Sequence, residues 1–384
     1  MASPDAAHTF RAWTHRGPPF PSSLSLVEQH PPLPATLGPH ELLVEVYAAA
    51  LNPLDSQLAN LALFRLPALA SPHGIGCDFS GVVLARGTQV TNLSIGAQVM
   101  GVTVNPLASP NGGTLSQISV IDLSRSAVIP KPPHLSWTQA AALPLAFLTA
   151  RTVLSPPYLV LPPSDQGAPA APRTIVVLGA SSAVGQHVVQ LASKQQHLRV
   201  VATCSPRSNP LVASLGAAST LDYHSPDLAS SLLALRPREG YLSIIDCAGG
   251  TLLLPHLSAL LTPRTRAFQP GGSYTTIVGD KPSSARLALG GATTYLWCWR
   301  MLVRFLVGYW AAVARLCGGR PRYACVSFRR DAGWLSEVGG LTRERGDYEV
   351  RIEDEFAFED VERAFERLNE GRARGKIVVR VKET

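Results

Sequence analysis

Charged residues are scarce in this 384-residue chain, 16 % of the total against a hydrophobic share of 46 %. That balance excludes disorder by composition, and the length allows two ordinary domains with a large apolar core. Cysteine is sparse as well: Cys77, Cys204, Cys247, Cys298, Cys317 and Cys325 form no C-x-x-C pair and no Cys/His cluster. Their scatter excludes a disulfide scaffold and a structural zinc lobe, and it fits a reducing compartment. Residues 1–7 hold Asp5, no basic residue and no apolar stretch. A secretory signal is therefore not expected, and little room is left for a removable transit peptide. The expected location is cytoplasmic, with the mitochondrion as the alternative.

Acidic residues are missing altogether between Asp280 and Asp331, where nine basic ones occur. The formal net charge of +7 belongs to this one segment, and the remainder of the chain is close to balance. Within it, residues 293–317 are apolar enough to raise the question of a membrane span. Wound as a helix, however, Arg300, Arg304 and Arg315 share one side while Leu302, Leu306, Tyr309, Val313 and Leu316 take the other. Three arginines near the middle of a span would be expensive, so an amphipathic helix is expected. It either packs on the protein or, with Trp297, Trp299 and Trp310 beside the arginines, lies on an anionic membrane surface.

Three textures follow one another along the chain. Up to about residue 135, short alternating apolar runs such as 42–47, 79–84 and 117–120 stand between Gly- and Pro-rich turns and predict a β-rich, barrel-like domain. A helix is expected over 137–154, with Ser136 as its N-cap. A loop over 156–172 with six prolines excludes helix and central strand there. From Arg173 onward, runs at 174–178, 199–203, 242–246 and 274–278 alternate with helical stretches, the βαβ order of a doubly wound parallel sheet that binds a nucleotide. A charged helix at 359–369 and a strand at 376–381 close the chain. The domain expectation is 1–135, 136–329 and a returning segment 330–384.

The strand at 174–178 runs into Gly179-Ala180-Ser181-Ser182-Ala183-Val184-Gly185 and then a helix over 186–194. A tight turn of this kind gathers unpaired N–H groups at the positive end of a helix dipole, where a pyrophosphate can sit. Set on the pattern G-x-G-x-x-G, Ala180 and Ser182 replace the first two glycines and only Gly185 matches, so the position after a strand and before a helix carries the reading. After the second strand comes Cys204-Ser205-Pro206-Arg207-Ser208, with no Asp or Glu to hold a ribose 2′-hydroxyl. Hydroxyl and guanidinium groups suit a 2′-phosphate, which a carboxylate would repel; NADPH is the expected cofactor, with Ser205 and Arg207 as discriminators.

Several further motifs occur in order: Ala49-Ala50-Leu51-Asn52-Pro53-Leu54-Asp55, Gly76-Cys77-Asp78-Phe79-Ser80-Gly81, the stretch 140–150, Leu215-Gly216-Ala217, Leu221-Asp222-Tyr223 and Gly371-Arg372-Ala373-Arg374-Gly375-Lys376. Together they resemble the quinone-oxidoreductase-like branch of the medium-chain dehydrogenase/reductases, with particular similarity to zinc-independent fungal enoyl reductases and to reticulon-interacting mitochondrial oxidoreductases. The resemblance implies an α/β protein built of a GroES-like domain and a Rossmann domain, with NADPH in the cleft between them. It further implies that Ser181, Ser182, Ala183, Val184 and Gly185 line the pyrophosphate, and that Ser205, Arg207 and Ser208 meet the 2′-phosphate. Tyr223 would stack near the adenosine, and Val278 and Gly279 would bracket the nicotinamide through their backbone. Zinc-dependent relatives carry a metal-binding Cys where Asn52 stands and a His-Glu pair where Cys77-Asp78 stands, so no metal is expected. The fungal enoyl reductases read Asp-Trp-Lys where this chain has Asp55-Ser56-Gln57.

Without a metal, developing negative charge must be met by hydrogen bonds in a site that excludes water, which suits substrates that are already electrophilic. The expectation is hydride transfer from NADPH to an enone C=C or a quinone, with Asn52 and Gln57 as candidate donors. Two alternatives stand beside it. One is a trans-acting enoyl reductase of a polyketide pathway that meets an acyl carrier through the basic segment 295–330. The other is an NADPH-binding regulatory or assembly protein at a membrane or on RNA, although no nucleic-acid partner is expected from the leading reading.

Overall fold

The computed structural model describes residues 9–161, 172–195, 197–263, 271–279, 323–343 and 348–383, without 62, 63, 65, 67, 68, 70, 106, 108 and 109. The amphipathic helix expected at 293–317 and the basic segment up to Arg322 lie outside the described residues. Among the described residues, no helix is long and apolar enough to cross a membrane. The described chain divides into two compact units, one of residues 9–145 with 330–383 and one of 146–279 with 323–329.

The first unit is a β structure. Its strands are β1 (Phe10–His15), β2 (Leu24–Gln29), β3 (Glu41–Leu51), β4 (His73–Gly74), β5 (Asp78–Arg86), β6 (Gln98–Thr103), β7 (Ile118–Asp122) and β8 (Ser126–Pro130), joined late in the chain by β15 (Ile352–Ala357) and β16 (Lys376–Arg380). The large sheet runs β15-β16-β3-β5-β6-β8, with β7 also on β3, and a small sheet runs β2-β1-β4. The alternation of a strand decides which side each residue faces. On β3, Leu42, Val44 and Val46 enter the main core with Phe79, Leu115 and Phe365, and past a register irregularity between Val46 and Ala48 the same side is continued by Ala49 and Leu51. Ala48 and Ala50 point the other way, onto Ala141 and Ala142 of α2 (Trp137–Ala142). Small side chains on both elements let that helix lie close to the sheet. The last strand, β16, pairs antiparallel with β3, Ile377 opposite Leu51, so the chain's end completes a sheet begun near its start.

The second unit holds six parallel strands in the order β11-β10-β9-β12-β13-β14. They are β9 (Arg173–Leu178), β10 (Leu198–Cys204), β11 (Ser219–Asp222), β12 (Ser243–Asp246), β13 (Ser273–Thr276) and β14 (Tyr323–Cys325). Most of their residues are buried, as strands covered on both faces require, and order reversal between β10-β9 and β12 is the switch point at which such sheets bind ligands.

Three local expectations are corrected. The helix expected over 137–154 is broken into α2 and α3 (Pro144–Val153), because Pro144 has no N–H to continue the first helix and instead starts the second. Ser136 does cap α2, accepting the Gln139 N–H at 3.1 Å. The strand expected to reach Val278 stops at Thr276, whose Oγ1 accepts the N–H groups of Val278 and Gly279. The helix expected from residue 186 begins at Ala183. The units part after Leu145 and not at 135, because α2 is packed on β3 and β16.

A buried aromatic corner ties β1 to β4. His15, 3 % exposed, has its ring 5.1 Å from Phe64 and 5.9 Å from His73, and its Nδ1 accepts the Gly17 N–H at 3.0 Å. Burial, and then the neighbouring His73, lower its pKa to about 4. The unfolded chain therefore binds a proton that the folded chain refuses, and stability present above pH 6.5 is lost as the pH falls towards 4. Urea unfolding at pH 7 and pH 4.5 should show a loss attributable to His15 of about 2 kcal/mol, absent in His15→Phe.

Candidate active site

Asn52 ends β3 and opens α1 (Pro53–Ala59). Its side chain does not face open space. The Asn52 Nδ2 donates to Asp78 Oδ2 at 3.0 Å and to the Ala50 carbonyl at 3.3 Å. Its Oδ1 accepts from Lys376 Nζ at 2.6 Å. The same ammonium meets Asp78 Oδ2 at 2.8 Å, with the two side chains 4 % and 0 % exposed. Asp78 is completed by the Leu145 N–H on Oδ1 at 2.9 Å. This is a buried ion pair with its remaining hydrogen-bonding capacity largely filled, the condition under which such a pair is tolerated. One residue turn further, the Asp55 carboxylate accepts the Asn52 N–H at 2.7 Å. Burial, acting first, raises the Asp55 pKa to about 6 against the opposing pull of the Cys77 thiol and Asn52. Burial also pushes the Cys77 thiol well above its ordinary value, helped by Asp55, so the thiol stays protonated. A small recess, with room for about one water molecule, is lined here by His15, Asp55, Leu58, Ile75, Cys77 and Asn105, among others.

In the second unit, the turn after β9 carries its own geometry. Gly179 has φ +68°, the left-handed conformation that makes the tight exit from the strand. A Cβ at Gly185 would come within 2.3 Å of the Gly179 carbonyl oxygen, so only glycine lets α4 (Ala183–Ser193) lie this close to β9. Ser182 caps α4, accepting the Gly185 N–H at 3.1 Å. The N–H groups of Ser181, Ala183 and Val184 find no acceptor among the described residues. A helix N-terminus with three spare donors and a glycine-enforced close approach fits the pyrophosphate of a dinucleotide.

Beyond β10, Ser205 and Ser208 bring their hydroxyls to 3.2 Å of each other, and Arg207 is exposed with no ion-pair partner among the described residues. Tyr223, 49 % exposed, lies 4.0 Å from the His224 ring. At the strand end nearer β13, the N–H groups of Val278 and Gly279 are taken by Thr276, and the Gly279 carbonyl accepts from Gly250 at 3.3 Å. Backbone donors at 278 and 279 are thus committed within the protein, leaving the Val278 carbonyl and side chain as the groups that can meet a ring. Asp246 organises the facing turn: its Oδ1 accepts from Ala248 and Gly249, and its Oδ2 accepts from the Tyr274 hydroxyl at 2.9 Å.

Residues 181–185 and 205–208 are thus gathered as the sequence suggests, in two adjacent turns after paired strands β9 and β10. Asn52 and Gln57 share one helix start but differ in kind. Asn52 is 3 % exposed and fully used, whereas Gln57 is half-buried and makes no side-chain hydrogen bond among the described residues. Sequence reasoning missed Lys376, which stands 324 positions from Asn52. A lone lysine beside an apolar strand, Ile377-Val378-Val379, was the available signal. It also missed Gly179 as the glycine of the tight turn, and Asp246, the acid ending a buried strand.

Comparison with known proteins agrees with this architecture. Residues 38–128 match the alcohol dehydrogenase GroES-like domain and residues 215–379 match the zinc-binding dehydrogenase family. A zinc-type alcohol dehydrogenase-like protein of Schizosaccharomyces pombe is 30 % identical over 97 % of this chain and 96 % of its own length. A chloroplastic quinone-oxidoreductase of Triphysaria versicolor is 31 % identical over 91 % of this chain and 92 % of its own. A trans-enoyl reductase of Pyricularia oryzae is 34 % identical over 54 % of this chain and 56 % of its own. Among solved structures, the quinone oxidoreductase from Coxiella burnetii superposes with a TM-score of 0.71 at 24 % identity, covering 98 % of this chain and 100 % of that one.

The buried pair makes a direct test. Lys376→Met leaves the Asp78 carboxylate uncompensated and should lower unfolding stability by about 3–5 kcal/mol. Adding Asp78→Asn removes the stranded charge, so the double variant should recover at least about 1 kcal/mol in the same urea titration. Equal stability of single and double variants would show that the pair is not the anchor described here.

Proposed function

This chain belongs to the medium-chain dehydrogenase/reductase family, and we propose that within it the protein is a zinc-independent, NADPH-dependent reductase of enones or quinones. As an oxidoreductase of that family it takes a nicotinamide cofactor. The observation that carries the metal-free reading is the Lys376 ammonium, bound at 2.6 Å to Asn52 and 2.8 Å to Asp78. Those are two of the positions where zinc-dependent relatives would ligate. A cation already fills their lone pairs, and a divalent ion beside it would meet like charge. An ammonium seated between Asn52 and Asp78 does not suit a zinc ion, and this supports the metal-free reading.

The bound cofactor would supply hydride. Its pyrophosphate would be held by the spare N–H groups of Ser181, Ala183 and Val184, its adenosine would lie by Tyr223, and its 2′-phosphate would be met by Ser205, Arg207 and Ser208. Arg207 is free to do so because nothing in the described protein pairs with it, and the loop 205–208 itself carries no acid; Asp222, opposite Cys204 on the adjacent strand, is turned to the His224 N–H and ring. Gln57, with its amide uncommitted, is the candidate donor to substrate; Asn52 acts through position, holding α1 and the ion pair. An α,β-unsaturated carbonyl or a quinone fits a site without a Lewis acid, because its own conjugation spreads the incoming charge onto oxygen, where hydrogen-bond donors suffice.

A trans-acting enoyl reductase is the second reading, favoured by the likeness to the Pyricularia oryzae protein over about half of this chain. The acyl-carrier contact imagined for it, and the membrane contact, both fall on residues 295–330, of which 295–322 lie outside the described residues.

The deciding assay follows NADPH and NADH oxidation by the purified chain against quinones, enones and enoyl thioesters, with and without a chelator. Turnover of enones or quinones that a chelator leaves unchanged is expected, and no consumption on any of them would remove the reading. Arg207→Ala should reduce the NADPH-over-NADH preference in kcat/KM by about tenfold or more, the loss of one charged contact to phosphate. An unchanged preference would assign the 2′-phosphate elsewhere.

A further inference from the structure

β10 and β11 run parallel, with Cys204 directly opposite Asp222. Strands paired in this way lie about 4.8 Å apart, so the loop 205–208 and the turn 223–225 leave the sheet as neighbours. Asp222 therefore brings a carboxylate to the foot of the loop that carries Ser205, Arg207 and Ser208. Its charge is felt there: burial, and then Asp222, raise the Cys204 thiol pKa to about 11. A bare carboxylate in such a place would oppose a phosphate.

Asp222 is not left bare. Its Oδ1 accepts the His224 backbone N–H at 3.0 Å and lies 2.9 Å from the His224 Nδ1. An ionised carboxylate only accepts, so the hydrogen of the second bond sits on Nδ1. Together the two contacts make an Asx turn whose last residue also clasps the acid with its ring. The backbone bond first, and then the ring, hold the Asp222 pKa below its ordinary value, so the group is a charge and not a neutral acid. No lysine or arginine pairs with Asp222 among the described residues. The His224 ring also lies 4.0 Å from that of Tyr223 at a tilt of 30°, covering one face of a tyrosine that stays 49 % exposed.

Resting on the NADPH reading above, we propose that His224 is a specificity-determining residue for the cofactor: it clasps the Asp222 carboxylate within the turn 222–224 and so keeps this acid from opposing a 2′-phosphate held by the adjacent loop. His224 acts through Asp222 and is a positioning residue. The pair settles a conflict within the sequence, where Asp222 puts a negative charge beside a loop otherwise suited to a phosphate. Residues 205–208 and 222–224 all belong to the second unit, so this subsite is complete within it.

The test uses the full-length protein and two ligands that differ by one phosphate, adenosine 2′,5′-bisphosphate and adenosine 5′-monophosphate, with affinities from calorimetry. The wild type should favour the bisphosphate, and His224→Ala should lower that preference about threefold or more at low salt, because the carboxylate is released. At about 1 M salt, where the screening length is about 3 Å, the difference between the two proteins should close. In an Asp222→Asn background the same His224→Ala change should have no effect, since no charge is left to clasp. Thermal midpoints report that each variant keeps its fold. An unchanged preference in His224→Ala overturns the proposal. So does an equal loss in both backgrounds, which would make His224 a direct partner of the phosphate. A wild type that binds both ligands equally removes the NADPH reading and this inference with it, whereas a wild-type preference indifferent to His224 removes the inference alone.

Discussion

The ammonium of Lys376 is the fixed point of the first unit. It enters from the chain's last strand and is gripped at 2.6 and 2.8 Å by residues from the end of β3 and the start of β5. Removing two charges from water costs several kcal/mol each, so the arrangement persists only because Asn52 and the Leu145 N–H complete the shell around the pair. That requirement fixes where β16 lies against β3, where α1 begins, and how the chain turns after Ala142. It also sets a local charge balance with no positive charge to spare. Asp55, buried beside the pair, has its pKa raised to about 6, chiefly by burial.

The second unit works by a different kind of constraint, close approach in place of charge. Gly179 and Gly185 let a strand and a helix start come together more tightly than any side chain would allow, and the helix end then offers N–H groups with no acceptor among the described residues. The neighbouring strand ends at serines and an arginine with no acid among them. These two features are what the proposed NADPH site rests on: a pyrophosphate suits the amides and a 2′-phosphate suits the hydroxyls and guanidinium. Asp246 and Thr276 fill a structural office at the other strand ends, satisfying the turn amides so that the loops there keep one shape.

Local signals were reliable where neighbours in sequence do the work. The alternation along β3, the cap at Ser136, the strand-turn-helix at 174–194 and the βαβ order can be read from residues a few positions apart, and all stand in the structure. They failed at Pro144, where one missing N–H divides what periodicity joins, and at Thr276, where a side-chain oxygen ends a strand early. Asn52 shows the commoner difficulty. As a polar residue next to a motif it reads as a donor for substrate, and the folded chain uses both ends of its amide for itself.

By itself, the sequence determined the β-rich and parallel-sheet units and the glycine turn between strand and helix at 179–185, because each depends on periodicity, turn chemistry and residue type within a short span. Only the tertiary structure decided which charges meet. Lys376 and Asn52 are separated by 324 positions, and nothing in composition or spacing records that they touch. The raised pKa of Asp55, the silence of Cys77 and the full engagement of Asn52 all follow from burial. Burial is a property of the packed whole: the same side chains in water would be an ordinary carboxylate, an ordinary thiol and a free amide.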